Sequence, residues 1–173
     1  MFVERPYDDF SMDDLAAAAG VSKGLLYHYF PSKRALYVEA LRGSAAEILR
    51  LMEPADLTLP LAEQLADALA AYLTYVRERA DAYRGLLRGG VGTDPEVAAV
   101  AEELRRAIRD RIFAGLGIPE PSPRLRLTVT GWVGYVEAAS LDWLDHDDLT
   151  IERLVELLVN GLTVLLTSLQ RPR

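Results

Sequence analysis

Three cations stand where helix electrostatics disfavours them. In "VSKGLLYHYFPSKRALY", Val21 to Tyr37, Lys23 follows Ser22, and Lys33 and Arg34 follow Ser32. Both serines are N-cap residues by type, so each cation falls in the first turn of a helix. The positive end of the macrodipole is an unfavourable place for a cation and a favourable one for an anion. Lys23, Lys33 and Arg34 make sense there if a phosphate docks against these turns. Ser11 also reads as an N-cap, but Asp13 and Asp14 follow it as the dipole prefers, so that end does not face phosphate.

The charge distribution agrees. The 173-residue chain has a formal net charge of −7, yet the balance from Gly20 to Arg42 is +3. Residues 1–42 carry −1 and residues 43–173 carry −6. The acidity therefore belongs mostly to the C-terminal part, and distribution matters more than the sum for nucleic-acid binding.

The elements that must position these residues all read as helices. Apolar residues recur at i, i+3, i+4, with Ala and Leu dominant, and nothing alternates as a strand does. Ser11 with Asp14 forms a capping box, Phe10 and Leu15 a hydrophobic staple, and Gly20 a left-handed stop. The spacing predicts a helix over 12–19, a turn of about three residues, and a second helix over 23–30. Pro31 ends that helix and Ser32 caps a third, long one. A linker over Pro54 to Pro60 follows, then helices near 61–79, 81–88, 95–115, 124–144 and 150–169.

Within the second short helix, Leu26 and Phe30 share a face and belong to a core, while Lys23, Gly24, Tyr27 and His28 project outward. Gly24 lowers helix stability, and its missing side chain permits close approach to DNA. A helix-turn-helix enters the major groove with its second helix. The alternative from spacing alone is a small amphipathic helical subdomain with solvated lysines.

The stretch "FSMDDLAAAAGVSKGLLYHYFPSKRALYVEAL", Phe10 to Leu41, resembles the DNA-binding segment of the TetR family of transcriptional regulators. The rest, with "YRGLLRGGVGTDPEV" and two very apolar final helices, is similar to that family's ligand-binding and dimerising domain. The resemblance implies an all-α fold, with a helix-turn-helix DNA-binding domain over 1–43 and a helical ligand-binding and dimerisation domain over 44–173. It places Ser22, Lys23, Gly24, Leu25, Tyr27, His28 and Tyr29 on the recognition helix and its cap, Lys33 on a phosphate, and Ser11 at a helix start that touches the DNA backbone. Leu25 departs from the small hydroxyl residue frequent in the family; it can meet a thymine methyl but cannot hydrogen-bond a base. Family members carry a full helix before this motif, of which "MFVERPYDDF" resembles only the last turn. Leu15, Val21 and Leu26 are then expected to lack their usual cover, and the natural protein to start upstream.

The last two helices carry more apolar surface than one chain covers: Leu125, Leu127, Val129, Trp132, Val133, Tyr135, Val136, Leu141 and Trp143 on one, and Ile151, Leu154, Val155, Leu158, Leu162, Leu165 and Leu169 on the other. A two-fold four-helix bundle with a second copy is the natural solution, and Gly131, Gly134 and Gly161 allow close helix approach. Such a homodimer sets two recognition helices about 34 Å apart, matching a palindromic operator. The resemblance further implies a small-molecule pocket whose ligand releases the DNA, as in a repressor. Tyr72, Tyr83, Leu87, Trp132, Tyr135 and Val136 are the candidates, since tyrosine and tryptophan offer polar atoms from an apolar wall. Glu137 can orient a polar group, bond across the dimer or reach solvent.

No enzyme is expected, and neither a cofactor nor a metal. Cysteine is absent and the histidines are His28 and His146. "DWLDHDD" reads as a solvated interhelix loop, and "GGVGTDP" follows a helix rather than a strand, which removes the context of a phosphate-binding loop. No nucleophile elbow is present. The absence of cysteine, of a signal-peptide pattern and of a bilayer-length apolar run fits a cytoplasmic protein with no membrane partner. The rival reading is a dimeric helical small-molecule or partner-binding module whose DNA head is impaired.

Overall fold

The computed structural model describes residues 7, 10–88 and 94–169. Most of "MFVERPYDDF", and the glycines of "GGVGTDP", lie outside the described residues. The described chain is all-helical: α1 (Met12–Ala19), α2 (Lys23–Tyr29), α3 (Lys33–Leu51), α4 (Leu61–Glu78), α5 (Ala80–Arg88), α6 (Pro95–Gly115), α7 (Pro123–His146) and α8 (Ile151–Leu169).

It divides into two compact units, residues 1–47 with 78–103, and residues 48–77 with 104–173. The sequence expectation of a head over 1–43 falls within the first unit, to which residues 78–103 also belong.

Local signals account for the start of the first unit. Ser11 and Asp14 form the reciprocal capping box of α1, and Gly20 ends it at φ +66°, a left-handed conformation in which a side chain would clash with its own backbone. Ser22 accepts from the Leu25 N–H at 3.1 Å to cap α2, and Ser32 accepts from the Ala35 N–H at 3.1 Å to cap α3. Phe10, Met12, Leu15, Ala16 and Leu26 form one buried cluster, with Phe30 and Leu36 packed against it. Leu15 and Leu26 are therefore covered, contrary to the expectation of exposed positions; residues from α1, α2 and α3 close over them. Val21, at 36% exposure, is not buried.

A second cluster in this unit joins α3 to the start of α6: Tyr37, Val38 and Leu41 with Val97 and Val100.

In the second unit, α4 buries Leu69, Tyr72, Leu73, Tyr75 and Val76, α7 buries Val129, Trp132, Val133, Val136 and Trp143, and α8 buries Leu154, Val155, Leu158 and Leu162. Trp132 Nε1 ties α7 to α8 by donating to the Leu158 carbonyl at 3.0 Å, and Trp143 Nε1 ties α7 to the following loop by donating to the Leu149 carbonyl at 2.8 Å. Both donors thus find acceptors on leaving water, as burial demands.

Helices α7 and α8 carry more apolar surface than the chain itself covers: Leu127 at 70% and Tyr135 on α7, and Leu157, Val164 at 68% and Leu165 on α8, are exposed. No helix among the described residues is long and apolar enough to cross a membrane.

Candidate nucleic-acid interface

Helix α2 is held by a single side chain. Leu26 is buried, whereas Ser22, Lys23, Gly24, Leu25, Tyr27, His28 and Tyr29 are exposed. A seven-residue helix is marginal in isolation, so its shape depends on the cap at Ser22 and the anchor at Leu26. Everything else on it is presented outward, including apolar surface that water does not favour: Leu25 at 45%, Tyr27 at 44% and Tyr29 at 69% exposure. The His28 and Tyr29 rings meet edge to face at 5.3 Å between centroids. A Cβ added at Gly24 would meet nothing within 4 Å, so this glycine is not required by packing inside the chain.

The three cations have different surroundings. Lys23 Nζ lies 2.7 Å from Asp13 Oδ2, and this hydrogen bond and charge raise the lysine's pKa. Lys33 Nζ stands 4.4 Å from the centre of the Tyr7 ring, a cation–π distance. Arg34 forks onto Asp94, with Nε on Oδ2 at 2.5 Å and Nη2 on Oδ1 at 2.8 Å, and reaches Glu96 at 3.1 Å.

That last arrangement corrects the reading of Arg34 as a phosphate ligand. Asp94 Oδ1 also accepts from the Glu96 N–H at 2.9 Å, so the carboxylate sits at the start of α6 and binds the guanidinium edge-on. The anion that makes Arg34 tolerable at a helix start is supplied by the chain itself.

Ser11 is exposed, but its hydroxyl donates to Asp14 at 2.6 Å and accepts from the Asp14 N–H at 3.2 Å. Its donor is occupied by the capping box.

Residues 1–40 match the sequence profile of the bacterial regulatory proteins of the tetR family, and residues 61–165 that of the tetracyclin repressor-like C-terminal domain. The chain belongs to the TetR family. It is a transcriptional regulator with that family's N-terminal helix-turn-helix and C-terminal helical domain. A crystal structure of a tetR-family transcriptional regulator from Streptomyces coelicolor is similar with a TM-score of 0.89 at 31% identity, covering 96% of this chain and 75% of that one. The HTH-type transcriptional activator FasR of Mycolicibacterium smegmatis is 28% identical over 175 residues, 94% of this chain and 78% of that protein. The HTH-type transcriptional regulator EthR of Mycobacterium tuberculosis is 43% identical over 65 residues, 37% of this chain and 27% of that protein.

The residues proposed to line a TetR-type ligand pocket are not equivalent in their placement. Tyr72, Trp132 and Val136 are buried in the second unit. Trp132 has already committed its N–H to Leu158, which leaves only its ring for another molecule. Tyr83, buried, and Leu87, half-buried, belong to the first unit. Tyr135 is 42% exposed, its ring 3.7 Å from where a Cβ of Gly161 would stand.

Glu137, read as a ligand-orienting, dimer-bridging or solvated carboxylate, instead receives Arg105 Nε at 2.9 and 3.1 Å on its two oxygens. Sequence inspection missed this partner, and likewise Asp13 for Lys23 and Asp94 for Arg34. Each lies ten or more residues away, where no helical spacing flags it.

Proposed function

We propose that this TetR-family regulator binds a two-fold symmetric operator as a homodimer and is released from it by a small molecule. The observation that supports this best is the outward presentation of α2. A helix that buries one leucine and exposes a leucine, two tyrosines, a lysine and a bare glycine has no structural reason within its own unit for that composition. Docked in a major groove, Gly24 admits the DNA backbone, Leu25 meets a thymine methyl, and Tyr27, His28 and Tyr29 reach base edges or phosphates. Lys23 and Lys33 supply phosphate contacts. Ser11 adds one only by giving up its bond to Asp14.

The dimer is supported by the exposed apolar faces of α7 and α8. Leu127 and Tyr135 lie on one, Leu157, Val164 and Leu165 on the other. Added Cβ atoms at Gly131 and Gly134 would meet nothing within 4 Å. Two such faces, turned on a two-fold axis, give a four-helix bundle with close helix approach.

For release, the ligand must bind the DNA-incompetent state more tightly than the competent one. Tyr72, Val136 and the Trp132 ring are the wall residues this reading keeps in the second unit, with Tyr135 as a further candidate. Repression is the direction the family resemblance implies. FasR is named an activator, so a reporter assay has to read both directions.

The test is selection of duplexes from a random-sequence pool with the purified chain. Recovered sequences should carry inverted half-sites about one helical turn, 10–10.5 bp, apart. Recovery of no shared sequence would leave a ligand-binding dimer with an inactive DNA head as the better account.

A further inference from the structure

The pairing of Lys23 with Asp13 places a carboxylate beside a cation assigned to phosphate. The bond is short, 2.7 Å, and both side chains are more than half exposed, at 55% and 61%. Asp13 and Lys23 occupy the first turns of successive helices, α1 and α2. Asp14 beside it is committed to the cap of α1. Asp13 has no such task.

We infer that Asp13 is a positioning residue for DNA discrimination: it holds Lys23 on one line of approach and repels phosphates that reach it from any other. The inference rests on the DNA-binding reading above. A lysine is a compact charge on a flexible four-carbon stem, so an untethered Lys23 would follow whichever phosphate lay near it. Non-specific binding consists almost entirely of such contacts. Tethered, the ammonium has one of its three donors taken and its reach confined.

The Asp13 carboxylate also meets any anion that Lys23 attracts. An exposed ion pair is weak enough for a phosphate to displace, but the carboxylate remains nearby and repels it. Like charges brought together suppress wrong partners, and discrimination commonly needs such a repulsive element. On a duplex that seats Gly24, Leu25 and Tyr27, one phosphate arrives along the tethered line, with the Lys23 ammonium between it and the carboxylate. On other duplexes phosphates arrive from other directions and meet the carboxylate.

The experiment compares wild type, Asp13→Asn, Asp13→Glu, Lys23→Met and Asp13→Asn/Lys23→Met by fluorescence anisotropy. The probes are a duplex selected by the wild type and a scrambled duplex of the same composition, over a range of salt. Asp13→Asn should bind the scrambled duplex several-fold more tightly and the selected duplex nearly as the wild type does. Its salt slope on scrambled DNA should steepen by up to about 0.9, the value of one phosphate contact. Asp13→Glu should stay close to wild type, and in the Lys23→Met background the Asp13 change should no longer distinguish the two duplexes, leaving at most a small gain on both from the lost negative charge. Equal changes on both duplexes, no change on either, or a full effect without Lys23 would overturn the inference. If no variant binds any duplex even at low salt, the DNA-binding reading itself falls.

Discussion

Arg34 and Asp94, sixty residues apart in sequence, meet edge to edge through two hydrogen bonds of 2.5 and 2.8 Å. The guanidinium stands at the start of α3 and the carboxylate at the start of α6. The same two helices also meet through Tyr37, Val38 and Leu41 with Val97 and Val100. The ion pair adds a polar tie between the starts of two helices already joined by this apolar cluster.

This pair predicts a titration. Arg34 holds the Asp94 carboxyl down at about 2, and Arg34 itself is raised by its bonds to Asp94 and Glu96. A carboxyl depressed in the folded state contributes stability above its unfolded pKa of about 3.9, and that contribution is lost as pH falls toward 2. NMR titration should find Asp94 well below the other aspartates in the wild type and near the ordinary range in Arg34→Ala. Amide exchange in the first turn of α6 should quicken in that variant. An unshifted Asp94 would remove the clasp.

Gly20 predicts a backbone effect. Its φ of +66° lies in the left-handed region, and no neighbour stands within 4 Å of an added Cβ. Gly20→Ala should destabilise the first unit by roughly 1–2 kcal/mol through strain alone. Denaturant unfolding of this variant beside Gly24→Ala isolates the strain, since neither site is crowded and of the two only Gly20 has a left-handed backbone; Gly24→Ala should not lower stability.

Leu26→Ala removes the one buried side chain of α2. With 8% exposure in the wild type, its loss should cost about 2–5 kcal/mol in the first unit. DNA binding should disappear while far-ultraviolet dichroism keeps most of its helical signal, since α4, α7 and α8 do not depend on it.

The apolar faces of α7 and α8 predict the oligomeric state. Leu127→Glu and Val164→Glu place charges at positions 70% and 68% exposed in the single chain, so neither should harm its fold. Each should convert the dimer to monomer by sedimentation velocity, and with it abolish binding to a two-half-site duplex. A wild type that sediments as monomer at micromolar concentration would refute the interface.

Much of the fold was legible because its signals are local. The capping box of Ser11 and Asp14, the left-handed Gly20 and the N-cap at Ser22 each act within three or four residues, and they set the bounds of α1 and α2. Partners distant in sequence were not legible. Arg34 looked like a phosphate ligand because its carboxylates arrive on α6, and Glu137 looked uncommitted because Arg105 is 32 residues away. The outward turn of Tyr135 was hidden for a related reason. Helix α7 is apolar on more than one face, so periodicity could not say which face lies against its own chain and which is exposed.

The most direct test of the central claim is anisotropy titration of the full chain with a duplex selected by it, in competition with scrambled DNA, at two salt concentrations. The account predicts tight binding that scrambled DNA does not displace, weakens steeply with salt as phosphate contacts release counterions, and is lost in Tyr27→Ala with the fold intact. Binding that shows no preference for the selected duplex, or that survives loss of Tyr27, Leu25 and Lys23 together, would contradict it.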